Sequence, residues 1–107
     1  MSDAADGGPQ PGGAADGPPP VRRVVEICNR KGLHARAAAR FVKTVSQFDA
    51  EVQVRKNGTA VSGRSIMGLM MLAAAAGTII EIAATGRDAA AAVDTLARLI
   101  ECKFDED

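Results

Sequence analysis

From residue 21 onward the chain switches between two hydrophobic periods. Residues 22–28, RRVVEIC, alternate, with Val25 and Ile27 on one face and Glu26 between them, as a half-buried strand requires. NRKG (29–32) interrupts the pattern as a loop. From Ala35 the period lengthens. Ala38, Phe41, Val42 and Val45 recur at i, i+3, i+4 and i+7, the apolar stripe of an amphipathic helix, with Arg36, Arg40 and Lys43 off it. Alternation returns in AEVQVRK (50–56), where Val52 and Val54 oppose Glu51, Gln53 and Arg55. Asn57 and Gly58 separate this run from TAVSG (59–63), a strong short-range signal for a hairpin.

The segment SIMGLMML (65–72) opens on a serine suited to an N-cap and predicts a short helix. Alanine propensity extends that helix through Ala76, and Gly77 stops it. A strict core reading buries Ile66, Leu69 and Met70 and exposes Met67. TIIEIAA (78–84) predicts a fourth strand. TGRD (85–88) turns the chain, with Asp88 as the N-cap of a last helix whose stripe is Ala89, Val93, Leu96 and Ile100. The order is therefore β-α-β-β-α-β-α. One tight hairpin, with helices joining the other strands, predicts an α+β open-faced sandwich. Its four-stranded antiparallel sheet carries three helices on one face and leaves the other in water.

Composition sets the limits of this domain. Residues 1–20 hold five Pro, five Gly and almost no large apolar side chain, so they are expected to form a disordered tail ahead of a domain at 21–107. The chain has no Trp or Tyr and only three Phe, so its core is small and aliphatic. Thirteen basic residues balance thirteen acidic ones, which argues against nucleic-acid binding driven by bulk charge. Three of the acids, Asp3, Asp6 and Asp16, lie in the tail, and three more close the chain in FDED. The body between is therefore basic and suits an anionic ligand or an acidic partner. No apolar run approaches the length of a membrane span, and the N-terminus shows no secretory signal pattern, so a cytoplasmic location is expected. Cys28 and Cys102 lack metal-type spacing and are expected as two reduced, partly buried thiols.

The sole histidine, His34, stands where the loop becomes the first helix. The backbone N–H groups of Ala35, Arg36 and Ala37 are then the unpaired donors of a helix start, a place that favours anions. Gly32 permits the tight turn onto the helix, and Arg36 adds a permanent positive charge. Neutral imidazole carries a ring lone pair and is a nucleophile. A phosphoryl group taken by that ring would face the same N–H donors and the same arginine. Metal binding is not expected, since there is no second histidine and no acid or thiol cluster with ligand spacing, and no cofactor is implied.

KGLHARAAARFV (31–42) resembles the active-site segment of the histidine-containing phosphocarrier family of the bacterial phosphotransferase system. The hairpin NG, RSIMGLMML, the GT before the fourth strand and the ATG before the last helix also fall in that family's register, across nearly all of residues 21–107. The resemblance implies a stoichiometric phosphoryl carrier, not a stand-alone enzyme. His34 would be the acceptor through Nδ1, with Arg36 beside the phosphoryl group. Ser65 matches a serine that is a regulatory phosphorylation site in some members, and an ordinary N-cap explains it equally well. Most members carry proline after the active-site arginine, whereas this chain has Ala37. FDED and FDAEV (48–52) are similar to the nitrogen-related branch.

The implied partners are an enzyme I type donor and an enzyme IIA type acceptor, met by a monomer. Ile66, Met67 and Met70 offer an adaptable apolar docking patch, ringed by Arg36, Arg40, Lys43 and Arg64. An alternative reading is a regulatory module that controls an effector protein by contact, with phosphorylation as its switch.

Overall fold

The computed structural model describes residues 19–105. The tail expected over residues 1–20 lies outside them except for Pro19 and Pro20, as do the last two letters of FDED. The elements are β1 (Val21–Glu26), α1 (Ala35–Val45), β2 (Glu51–Lys56), β3 (Thr59–Ser62), α2 (Ile66–Met71), β4 (Ile79–Thr85) and α3 (Ala89–Glu101). A 3-10 turn, Lys103–Asp105, follows α3. The order is the expected β-α-β-β-α-β-α. The sheet runs β1-β4-β2-β3 with every neighbouring pair antiparallel.

Strand periodicity places the core. Val25 of β1, Val52 and Val54 of β2, and Ile80, Ile82 and Ala84 of β4 are all buried. Register aligns them, Val25 opposite Ile80 and Val54 opposite Ile82. The helices close over this face with Phe41 and Val45 of α1, Leu69 of α2, and Val93, Leu96 and Ile100 of α3. Between β2 and β3, Asn57 and Gly58 both adopt positive φ, 49° and 84°, as a two-residue hairpin needs. β1 ends at Glu26, short of the predicted run. Pairing nevertheless continues, because Ile27 N–H bonds Thr78 O at 2.8 Å and Gly77 N–H bonds Ile27 O at 2.7 Å.

Several expectations are corrected by tertiary contacts. α2 does not extend through Ala76. It stops at Met71, and Ala73 turns left-handed at φ 52°. Lys56 Nζ donates to Leu72 O at 2.9 Å and to Ala73 O at 3.2 Å, satisfying carbonyls at the helix end. Ala74 is buried and its carbonyl accepts from Leu33 N–H at 2.9 Å. These partners outweigh the helix propensity of an alanine run. Asp88 precedes α3, but its side chain makes no cap bond there. Its carboxylate instead accepts from Asp49 N–H at 2.8 Å, and Asp88 N–H returns a bond to Asp49 O at 2.9 Å. Cys28 and Cys102 are free thiols, as expected, but both are exposed rather than partly buried. Phe104 is fully buried from the C-terminal turn, which hydrophobic periodicity did not reveal.

The approach to α1 depends on Gly32. Its φ is +66°, and a Cβ there would lie 2.3 Å from Ala74 O. Gly58 also has positive φ, but a Cβ there would meet nothing within 4 Å. Gly58→Ala should therefore cost only the left-handed backbone term, about 1–2 kcal/mol. Gly32→Ala should cost clearly more, because the loop must also lift off the Ala74 carbonyl. Urea unfolding of the two variants checks this, and equal losses would show that the close approach at Ala74 contributes nothing.

Candidate functional site

His34 is the N-cap residue of α1, with extended backbone at φ −75° and ψ 178°. The first bond of the helix runs from Ala38 N–H to His34 O at 2.9 Å. The N–H groups of Ala35, Arg36 and Ala37 therefore have no acceptor within the helix. The His34 side chain makes no cap bond to them, and the first turn holds no acid. The positive end of the helix dipole is thus not neutralised from within α1.

The residues before His34 set its position. Asn29 O accepts from Gly32 N–H at 3.2 Å, and Asn29 Nδ2 donates to Gly32 O at 2.8 Å, so this turn is closed from both directions. Leu33 is buried and held by its bond to Ala74 O. Ala37 and Ala38 are buried on the other side. His34 is half-buried between these anchors. Its Nδ1 lies 3.0 Å from Gly32 O. A carbonyl oxygen only accepts, so this contact needs the proton on Nδ1.

The other sequence-predicted residues divide into groups. Ala35 and Arg36 are exposed at the start of α1, and Arg40 and Lys43 are exposed further along it. Arg40 lies 3.8 Å from the Asp105 carboxylate, an exposed pair. Arg64 is less available than expected, since its Nη2 donates to Ala50 O at 3.0 Å. Ser65 is the N-cap of α2, its Oγ accepting from Gly68 N–H at 2.9 Å. α1 and α2 pack together, and the segment after α2 holds the His34 loop through Ala74.

The strict core reading of α2 fails for two residues. Leu69 alone in this helix is buried, whereas Ile66, Met67 and Met70 are exposed. A helix of six residues completes fewer than two turns and brings one side chain into the core. Met71 is missing from the predicted patch and is the most exposed of the group, at 79%. The signal was present, since Met71 lies one turn beyond Met67 on the same face. Asn29 was also missed, because a loop asparagine looks like an ordinary turn former.

Among the described residues no group of three His, Cys, Asp or Glu is placed to hold a metal ion. No described helix is long and apolar enough to cross a membrane. A shallow groove lined by Arg22, Gln53, Arg55 and Ser62 lies on the uncovered face of the sheet, away from the helix layer that carries His34.

Residues 21–102 match the family model described as the PTS HPr component phosphorylation site. The phosphocarrier protein HPr of Neisseria meningitidis is 52% identical over 86 residues, covering 80% of this chain and 97% of that protein. The phosphocarrier protein NPr of Shewanella violacea is 42% identical over 86 residues, covering 80% and 94%. Among solved structures, an HPr from Thermoanaerobacter tengcongensis superposes with a TM-score of 0.78 at 41% identity, covering 81% of this chain and 98% of that one. The match spans the sheet, all three helices and the loop that presents His34, and this chain therefore belongs to the HPr family of phosphocarriers of the phosphotransferase system, which carry a phosphoryl group without being stand-alone catalysts.

Proposed function

We propose that His34 is the phosphoryl acceptor, loaded by an enzyme I type donor and discharged to an enzyme IIA type acceptor. The observation that carries this reading is the uncapped start of α1: the imidazole stands at its N-cap, with no acid in the first turn. In the loading step a ring-nitrogen lone pair attacks phosphorus. The N–P bond forms as the donor's bond to phosphorus breaks, and that electron pair stays on the donor. The new dianion then faces the N–H groups of Ala35, Arg36 and Ala37 and the Arg36 guanidinium. A helix start contributes about 0.3–1 kcal/mol to an exposed anion, and up to about 2 kcal/mol where it is partly buried. Such modest stabilisation suits a carrier, which must also give the group away.

Docking follows from the surface beside the helix start. Ile66, Met67, Met70 and Met71 form an apolar centre, and Arg36, Arg40 and Lys43 supply positive charge along α1. Acidic partners with an apolar contact region fit this surface. Arg64 contributes less, because the Ala50 carbonyl engages it. We take residues 21–107 as the carrier domain, acting as a cytoplasmic monomer, with residues 1–20 as an appended tail. We place the chain in the nitrogen-related branch. FDAEV at 48–52 and the relative named NPr support that placement, while the higher identity to an HPr makes a direct comparison of donors the deciding test.

Incubation with an enzyme I type donor and phosphoenolpyruvate should put one acid-labile phosphate on the wild-type chain and none on His34→Ala. Labelling that persists in His34→Ala, or that survives acid, overturns the assignment. Between purified donors, the nitrogen-branch enzyme should load the chain faster than the sugar-branch enzyme. Equal or reversed rates would remove the chain from that branch. At Ser65, Ser65→Ala should lower stability by about 1 kcal/mol through loss of the N-cap and leave loading intact. Ser65→Glu should slow loading by adding negative charge next to the patch. An unchanged rate in Ser65→Glu would rule out control through this residue.

A further inference from the structure

Asn29 is fully buried, the one polar residue so placed among the described residues, and the transfer chemistry above makes no use of it. Its Nδ2 donates to Gly32 O at 2.8 Å, while its Oδ1 is buried with no partner. An orphaned amide oxygen destabilises a fold. The side chain is therefore a poor choice for stability alone, and what it supplies is a donor to one particular carbonyl.

That carbonyl is shared. Gly32 O accepts from Asn29 Nδ2 and lies 3.0 Å from His34 Nδ1. A carbonyl oxygen has two lone pairs, so both bonds coexist. Gly32 is itself buried, so its oxygen depends on these partners. We propose that Asn29 is a positioning residue for phosphoryl transfer: by holding the Gly32 carbonyl, it lets His34 Nδ1 leave that carbonyl without stranding it. The inference rests on His34 accepting through Nδ1. While Nδ1 bonds Gly32 O it carries a proton and offers no lone pair. For transfer, that proton passes through solvent to Nε2, so the ring stays neutral, and the ring turns away from Gly32 O. The freed Nδ1 pair then forms the N–P bond as the donor's bond to phosphorus breaks, with its electron pair staying on the donor. Without Asn29, the turn of the ring leaves a buried acceptor unpaired, and the ring is held in its Nδ1–H form.

The test uses the full chain with 15N-labelled histidine and asparagine. In unphosphorylated Asn29→Leu, which is nearly isosteric but has no donor, the His34 ring shifts should move toward the Nδ1–H tautomer. Single-turnover loading by an enzyme I type donor should slow about tenfold, the worth of one hydrogen bond, at unchanged half-saturation by donor. In the wild-type chain, which needs no variant to fold, the Asn29 side-chain amide protons should stay protected from exchange before and after phosphorylation. Freely exchanging Asn29 amide protons, or an unmoved tautomer balance in Asn29→Leu, overturns the proposal. So does slower loading with raised half-saturation, since that is the mark of a damaged docking loop. Phosphate found off His34 in the wild type would instead overturn the functional reading, while the tautomer comparison, made on unphosphorylated protein, judges the Asn29 contact separately.

Discussion

Everything at the candidate site depends on how closely the 29–33 loop lies against the chain that leaves α2. Leu33 N–H bonds the Ala74 carbonyl, and Gly32 passes that carbonyl so tightly that no Cβ fits. This one contact does three things. It ends α2 by engaging the backbone that an alanine run would otherwise wind into helix. It buries Leu33, which fixes the residue before His34. It also sets the direction in which the chain enters α1, so that the imidazole arrives at the helix start rather than within it.

Stability and function are placed on different sides of that contact. Below it, β1, β2 and β4 present Val, Ile and Ala to the helices, and Phe41, Leu69, Leu96 and Phe104 fill the space between. Above it, the first backbone N–H groups of α1 are left unpaired by the helix itself. The N–H donors of Ala35, Arg36 and Ala37 have no intrahelical acceptor, and no acid in α1 neutralises them. Ala37 bears on this division. It is fully buried. It therefore serves the packing of the first turn and keeps an additional N–H at the start of α1.

α2 has too few residues to be a core helix and is instead a platform. One side chain, Leu69, anchors it, Ser65 caps its start and Lys56 satisfies its end. With its ends tied, the short helix holds four large apolar side chains in water beside α1. An exposed apolar group of this size is unfavourable in water.

The elements, their order and the histidine's place at a helix start were legible in the sequence, because each follows from local period and turn chemistry. Val25 and Ile27, the Phe41 stripe and the Asn57–Gly58 turn are local signals, and they fall where their spacing put them. Two features depended on partners distant in the chain, and a third, the burial of Asn29, on tertiary packing. α2 ends where Lys56 reaches the Leu72 and Ala73 carbonyls and Leu33 engages the Ala74 carbonyl beyond them, against the propensity of Ala73 to Ala76. Asp88 spends its carboxylate on Asp49 rather than on its own helix. Asn29 becomes the buried holder of the Gly32 carbonyl, which no loop composition announces. By itself the sequence determined what must be helix and strand and that the histidine stands at a helix start, since these are matters of near neighbours. Only the tertiary structure decided which hydrogen-bond acceptors each polar group would find, because a buried donor takes the partner that folding brings to it, wherever that partner lies along the chain.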